Sequence, residues 1–185
     1  MRVIILGRPG TGKTTLVKLL VEHFPGFFQG FYTEEIRRGT QRFGFRIVTL
    51  SGKLGMLAAK EGNSLFRVGS YRVFVEEFER LVLPELEEAL KRRIPILVDE
   101  IGKMELYSPR FAEFIETIWK EALFVLATSC LPELPQVKEL LRKGTAERLF
   151  LSQSNREEIF RVLLGRVESF KKEGGTDSPF HRSTN

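Results

Sequence analysis

The chain has 185 residues, of which 42% are hydrophobic and 29% charged, an ordinary composition for a soluble globular protein. Its net charge of +5 is modest and the basic residues are spread along the chain, so a basic surface that attracts phosphorylated ligands is favoured over a DNA or RNA groove. The single cysteine, Cys130, excludes an internal disulfide and a thiolate zinc cluster; with neither a leader nor a membrane-length apolar run, we expect a cytoplasmic protein.

The first predicted elements are a strand, a glycine-rich loop and a helix. Residues 3–6 form an apolar run without polar alternation, which is typical of a strand covered on both faces. Apolar residues at helical spacing follow from 16 to 24. The loop between them matches the phosphate-binding pattern G-x-x-x-x-G-K-[ST]. It consists of Gly7, Arg8, Pro9, Gly10, Thr11, Gly12, Lys13 and Thr14.

This loop predicts a site for a nucleoside phosphate. The three glycines let the backbone curl so that successive N–H groups point at phosphate oxygens, with the positive end of the helix behind them. We expect Lys13 to reach the β- and γ-phosphates and the Thr14 hydroxyl to coordinate Mg²⁺. We also expect Thr15, the next residue, to contact the nucleotide.

Residues 27–75 have a different character and predict an antiparallel excursion from a mostly parallel sheet. Apolar, β-branched and aromatic segments alternate there with glycine-containing turns. Thr33, Glu34 and Glu35 are candidates for the substrate edge, and one of the acids would be the base if an acceptor other than water binds. A strand face without a functional role is the simpler interpretation. The predicted segments are 27–38, 42–50, 54–60 and 65–75.

The remainder alternates helices and strands. Pro84 lies within the first helix and predicts a kink or a division into two helices. Ser108, and later Ser154-Asn155, are predicted N-caps. We predict one domain over residues 1–172 and a flexible tail over 173–185. The predicted helices are 75–92, 109–119, 135–142 and 155–170, and the predicted strands are 94–98, 122–127 and 148–151.

A second motif follows the predicted strand 94–98. Asp99 and Glu100 come directly after its apolar residues. The carboxyl ends of parallel strands meet at one edge of a sheet, where the phosphate loop also lies. We expect Asp99 to hold Mg²⁺, and Glu100 to polarise the attacking water beside the γ-phosphate.

Other polar residues are weaker candidates. Thr128 and Ser129 follow the predicted strand 122–127, and one hydroxyl is a candidate sensor of the phosphates; a polar strand end is an equal alternative. An arginine finger in cis is not identified by spacing, although Arg8 is nearest to the phosphates in sequence. Asn155 and Arg156 are candidates for contacts with the base.

Five stretches of the sequence together carry a resemblance to known proteins. They are GRPGTGKTTL (7–16), GFYTEEIR (30–37), RFGFRIVTLSGKLGMLA (42–58), VDEIGKMEL (98–106) and SNRE (154–157). These stretches resemble one family, the small P-loop nucleoside triphosphatases of thermophilic archaea and bacteria, which has a human member called cancer-related. The resemblance implies a three-layer α/β/α fold of RecA-like type and Mg²⁺-dependent hydrolysis of ATP, GTP, CTP and UTP with little base discrimination. The loop residues 7–14 and the pair Asp99-Glu100 match the family's nucleotide and Mg²⁺ elements.

The leading hypothesis is therefore a monomeric nucleoside triphosphatase with Lys13 and Glu100 as its catalytic residues and no membrane partner. A small-molecule or nucleoside kinase that uses the same loop is the main alternative. A nucleotide-switched module that binds nucleic acid through its basic surface is a third possibility.

Overall fold

The computed structural model describes residues 1–174, so most of the predicted tail lies outside the described residues. Five helices and nine strands follow one another in this part of the chain. The helices are α1 (Lys13–His23), α2 (Val75–Lys91), α3 (Pro109–Glu121), α4 (Pro135–Lys143) and α5 (Arg156–Lys172). The strands are β1 (Arg2–Gly7), β2 (Gln29–Arg38), β3 (Gln41–Thr49), β4 (Leu54–Ala59), β5 (Arg67–Val68), β6 (Tyr71–Val73), β7 (Ile96–Asp99), β8 (Val125–Cys130) and β9 (Glu147–Phe150).

All the described strands belong to one mixed sheet in the order β5-β6-β4-β3-β2-β7-β8-β1-β9. The five strands from β2 to β9 in this order are parallel to their neighbours. The other four strands, β3 to β6, pair antiparallel, as was predicted for residues 27–75. Strand β2 has both roles, because it also pairs in parallel with β7. The antiparallel part therefore begins at β2, the first strand of the predicted excursion, and this strand also belongs to the parallel part.

Helices cover both faces of the sheet and give the three-layer α/β/α arrangement that was predicted. Alternate residues of β1 point to opposite sides, with Ile4 and Leu6 in one apolar cluster and Val3 and Ile5 in the other. Helices α2, α3 and α4 contribute to the first cluster, whereas α1 and α5 contribute to the second. This double burial explains why β1 has no polar alternation.

Two predicted strands have different limits in the structure. The segment predicted at 65–75 is divided into β5 and β6 by a turn at Gly69, whose φ is +57°. The strand predicted at 122–127 is β8, which begins at Val125 and ends at Cys130. Pairing of β8 with β1 sets these limits, since the register runs from Arg2 opposite Val125 to Gly7 opposite Cys130. Thr128 and Ser129 consequently lie within the strand and not after it.

The predicted helix caps and the effect of Pro84 had mixed outcomes. The Ser108 hydroxyl accepts a hydrogen bond from the Phe111 N–H at 3.0 Å, which confirms this N-cap. Asn155 occupies the predicted N-cap position of α5, but its side chain makes no cap hydrogen bond there. Helix α2 is a single helix with Pro84 inside it. Its buried apolar stripe, which includes Phe78, keeps both halves on the sheet.

No helix within residues 1–174 is both long and apolar enough to cross a membrane.

Candidate active site

The phosphate loop and the acidic motif lie at the same edge of the sheet. Strand β1 ends at Gly7, β7 ends at Asp99, and β8 lies between these two strands. All three strands are parallel, so their carboxyl ends meet. The arrangement brings together two segments that are 85 residues apart in the chain, as expected from the sequence.

Glycine is required in the loop for two different reasons. Gly10 and Gly12 have positive φ angles of 79° and 92°, a conformation that other L residues rarely adopt. Gly7 has no room for a side chain, because a Cβ there would lie 2.6 Å from the Thr11 hydroxyl oxygen and 3.1 Å from the Leu151 carbonyl oxygen. Gly12 is the last residue before α1, so the first turn of this helix begins directly where the loop ends.

The Lys13 ammonium group lies over the loop and beside the acidic motif. Its side chain is buried, and Nζ donates a hydrogen bond to the Gly7 carbonyl oxygen at 3.0 Å. The same Nζ is 3.5 Å from Glu100 Oε2. One cation thus contacts both halves of the predicted site.

Asp99 is completely buried and is held by two hydroxyl groups. The Thr14 hydroxyl donates to Oδ2 at 2.6 Å, and the Thr128 hydroxyl donates to Oδ1 at 2.5 Å. Burial raises the pKa of Asp99 to about 6, although these two hydrogen bonds oppose the shift. Thr128 is therefore a buried residue that contacts the predicted metal ligand and is not itself exposed at the loop.

The Thr14 hydroxyl and the Asp99 carboxylate fit a magnesium site. Mg²⁺ prefers oxygen ligands, and proteins usually hold it with one or two such side chains together with substrate phosphates and water. These two oxygen donors are in direct contact at the base of the loop. In residues 1–174, no group of three or more His, Cys, Asp and Glu side chains is placed to hold a metal ion. The donor set thus suits a metal that arrives with a phosphate ligand.

Strand β8 also fixes the segment that carries Glu100. The Ile101 N–H donates to the Thr128 carbonyl oxygen at 2.9 Å, and the Ser129 hydroxyl donates to the Ile101 carbonyl oxygen at 2.8 Å. Ser129 thus braces the residue next to Glu100. Glu100 itself keeps 30% of its side-chain surface exposed, which leaves its carboxylate accessible to a ligand or water.

Glu105 is a buried acid that the sequence analysis did not identify. An added Cβ at Gly102 would lie 2.6 Å from Glu105 Oε2 and 2.9 Å from Glu100 Oε1, so both carboxyl groups flank this glycine. Burial raises the pKa of Glu105 well above its usual range, and Glu100 adds to the shift. The sequence VDEIGKMEL contains no signal that Glu105 is buried, and in the structure this residue begins the short 3₁₀ turn Glu105–Tyr107.

Arg156 contacts the phosphate loop from the side of α5. Its guanidinium group donates to the Thr11 carbonyl oxygen at 3.1 Å and lies where a side chain at position 12 would be, 2.5 Å from the ideal Cβ.

The Asn155 side-chain amide forms its hydrogen bonds with the backbone of residues that precede it in sequence. It donates to the Phe150 carbonyl oxygen and accepts from the Ser152 N–H, so it closes the connection between β9 and α5.

The acids on β2 are each held by basic residues. Lys18 donates to Glu34 at 2.5 Å, and this hydrogen bond, assisted by Arg46, holds the pKa of Glu34 below its usual range. Glu35 contacts Arg37 and Arg42. Burial works in the opposite direction for Glu35, but these arginines leave its pKa lowered. Both carboxylates are therefore ionised at neutral pH.

A cavity of about 1030 Å³ joins most of these groups. Of the predicted nucleotide-binding residues, the loop residues Pro9, Gly10, Gly12, Lys13, Thr14 and Thr15 line it, together with Glu100. The predicted substrate edge, Thr33, Glu34 and Glu35, lines the same cavity. Gly7, Arg8, Thr11 and Asp99 support the loop or the floor and are not among the lining residues. Apolar residues complete the wall, and the sequence contained no signal that they meet here.

Comparisons with known proteins find relatives that are similar in sequence and in fold. A family model described as NTPase matches residues 2–164. The chain is 40% identical to nucleoside-triphosphatase THEP1 of Thermotoga maritima over 164 residues, which are 89% of this chain and 94% of that protein. It is 34% identical to the cancer-related nucleoside-triphosphatase of Homo sapiens, covering 92% of this chain and 98% of that protein. The crystal structure of THEP1 from Aquifex aeolicus is similar with a TM-score of 0.82 at 43% identity, covering 91% of this chain and 99% of that one.

Proposed function

Because the chain belongs to the NTPase family, it is a nucleoside-triphosphatase, and we propose that it hydrolyses Mg²⁺-bound ATP, GTP, CTP and UTP to nucleoside diphosphate and phosphate. The observation that carries the proposal is the contact of the loop residue Thr14 with Asp99, beside the contact of Lys13 with Glu100. Each contact joins the phosphate-binding half of the site to its acidic half.

In the proposed reaction the loop amides and Lys13 bind the terminal phosphates and stabilise the negative charge that develops on their oxygens. Thr14 and Asp99 would hold Mg²⁺. When bound there, Mg²⁺ would neutralise charge on the β- and γ-phosphate oxygens. Thr128 supports this step by fixing the orientation of the Asp99 carboxylate.

Glu100 is the proposed base for water. Its carboxylate is partly exposed to the cavity, on the same side as Lys13. A carboxylate there accepts a hydrogen bond from a water and orients the water oxygen towards the γ-phosphorus. Arg42 is the one arginine among the lining residues within 1–174, and it is paired with Glu35. We therefore expect slow turnover without an arginine supplied by another molecule.

Broad base tolerance is supported by the residues near the predicted position of the base. The Asn155 amide uses one hydrogen and one oxygen lone pair for backbone groups at Phe150 and Ser152, so the chain itself, and not a base, fixes the orientation of this amide. Recognition would then depend on the phosphates, which all nucleoside triphosphates share.

The first test is phosphate release from ATP, GTP, CTP and UTP without any added acceptor, in Mg²⁺ and in excess EDTA. We expect the four rates in Mg²⁺ to agree within about tenfold, a spread of about 1.4 kcal/mol, and to fall to background in EDTA. Activity that persists in EDTA would reject the metal assignment. A strong preference for one base would reject the proposed tolerance.

Arg156→Met is expected to raise the KM for ATP about tenfold and to change kcat less. The guanidinium group holds the Thr11 carbonyl, and a hydrogen bond from a charged group is worth about 1.5–3 kcal/mol, so the loop would be less well organised for phosphates. Steady-state kinetics measure both constants. Arg161→Met is the matched control on the same helix, since this side chain is 75% exposed. An unchanged KM in Arg156→Met would show that the contact does not organise the loop.

A further inference from the structure

Glu105 is an acidic residue that the proposed reaction does not use, although it lines the cavity at the phosphate loop. Only 3% of its surface is exposed, and none of the ion pairs within residues 1–174 includes it. Burying a carboxyl group without a cation destabilises the folded state unless the group is neutral and hydrogen-bonded. A buried acid beside a reaction site is therefore a candidate for a functional role.

The Glu105 carboxyl group keeps its proton to a higher pH than an exposed glutamate does. Burial raises its pKa well above the usual range, and the negative charges of Glu100 and Asp99 add to the shift. Hydrogen bonds from the backbone N–H groups of Gly102 and of Glu105 itself only partly oppose it. A protonated carboxyl group has one O–H donor. The two backbone N–H groups are donors as well, so this O–H requires a different partner.

The partner is Glu100, because Gly102 leaves a space that both acids border. An ideal Cβ at position 102 would lie 2.6 Å from Glu105 Oε2 and 2.9 Å from Glu100 Oε1. Real Cβ atoms essentially never approach another atom within 3.0 Å, so even a methyl group at this position would displace both oxygens. One oxygen of each acid thus occupies the room that the missing side chain provides.

The two oxygens of Glu100 have different neighbours. Oε2 lies 3.5 Å from the Lys13 ammonium group, whereas Oε1 faces the space shared with Glu105. Lys13 is expected to turn to the β- and γ-phosphates when a nucleotide binds. Oε2 then becomes free for a water molecule, and Oε1 keeps its neighbour. A carboxylate that is held at one oxygen presents the other in a fixed direction, which favours reaction.

We propose that Glu105 is a positioning residue for hydrolysis, which donates a hydrogen bond to Oε1 of Glu100 and thereby keeps Oε2 directed at the attacking water. Glu105 touches neither the water nor the phosphate. The proton of the water passes to Oε2 of Glu100, and the proton of Glu105 stays in its hydrogen bond. The inference rests on the proposed function, because it requires Glu100 to be the base.

Two substitutions of Glu105 distinguish a hydrogen-bond donor from a side chain that only fills space. Glu105→Met has a similar volume but no donor, and it should lower kcat for Mg·ATP about tenfold while KM changes less than about threefold. Glu105→Gln keeps an N–H donor in the same place and should retain kcat within about threefold of wild type. Steady-state kinetics measure both constants. Wild-type kcat in folded Glu105→Met, or an equal loss in both variants, would overturn the inference.

A double variant tests whether the effect of Glu105 passes through Glu100. In the Glu100→Gln background, Glu105→Met should change the remaining rate by less than about twofold, because the carboxylate that it positions is gone. Single-turnover release of label from γ-labelled ATP measures this slow rate. A further tenfold loss in that background would contradict the proposal. Wild-type turnover in Glu100→Gln alone would instead overturn the base assignment in the proposed function.

Gly102→Ala tests the shared space without altering either acid. Its methyl group would move the ends of two flexible side chains, so the fold should survive while kcat falls about tenfold with little change in KM. This variant carries the test if Glu105→Met lacks a cooperative thermal transition, and wild-type kcat here would also overturn the inference. Glu113→Met is the matched control, because Glu113 is an exposed acid on α3 outside the cavity, and it should keep both constants at wild-type values.

Discussion

Glu100→Gln is expected to lower the rate of phosphate release from Mg·ATP about a thousandfold, within the range of about 10²–10⁴ for loss of a general base. Glutamine has nearly the same size and should keep its place beside Gly102, but it cannot take a proton from water. Nucleotide binding should survive, because the loop amides, Lys13 and Thr14 are unchanged. Initial rates of phosphate release give the first quantity, and titration calorimetry with ATP gives the second.

Glu87→Gln is the matched control for this variant, since Glu87 is exposed on α2 and is not among the residues that line the cavity. It should retain wild-type turnover and affinity. Wild-type turnover in Glu100→Gln would reject Glu100 as the base. If ATP binding were lost together with activity, Glu100 would instead be a binding residue.

Lys13→Ala is expected to weaken ATP binding and to reduce kcat/KM by a factor of about 10³ or more. Loss of a single donor to developing negative charge typically costs about 2.7–4 kcal/mol, and Lys13 is expected to serve the bound phosphates as well as the transition state. The substitution also leaves Glu100 without the cation at 3.5 Å. Binding and turnover should therefore fall together, in contrast to Glu100→Gln. Calorimetry and steady-state kinetics distinguish the two patterns.

Lys120→Ala, at an exposed position on α3, controls for the loss of one positive charge on a protein of net charge +5. It should behave as wild type in both measurements. Unchanged ATP affinity in Lys13→Ala, with only turnover reduced, would show that this ammonium group acts in the transition state alone. Unchanged affinity and turnover would reject its role altogether.

The conformation of the glycine-rich loop and the start of α1 were predictable because their information is local. Positive φ angles at Gly10 and Gly12, the following helix, and the lysine after the last glycine are all encoded by consecutive residues. The apolar strands were predictable as buried elements for the same reason. Their ends were less accurate, as β8 shows, because pairing with β1 and not the apolar run determines where the strand begins and stops.

The roles of single polar residues were less predictable. Thr128 and Ser129 are adjacent hydroxyl residues, yet one contacts the Asp99 carboxylate and the other braces Ile101. Which hydroxyl points to which partner depends on the alternation of side chains across β8 and on its register with β7. Asn155 is the N-cap residue of α5, as predicted, but its side chain does not cap the helix because its amide hydrogen-bonds to the backbone at Phe150 and Ser152.

The sequence by itself determined the three-layer class of fold, the phosphate loop and the existence of a paired acidic motif, because each is written in the spacing of neighbouring residues. Only the tertiary structure decided that Asp99 is buried between Thr14 and Thr128, that Glu105 is buried, and that apolar side chains of β3, β4 and β5 line the same cavity as Lys13 and Glu100. These features arise from contacts between strands and loops far apart in the chain. The geometry of such contacts depends on sheet register and on close packing, neither of which is encoded by local periodicity.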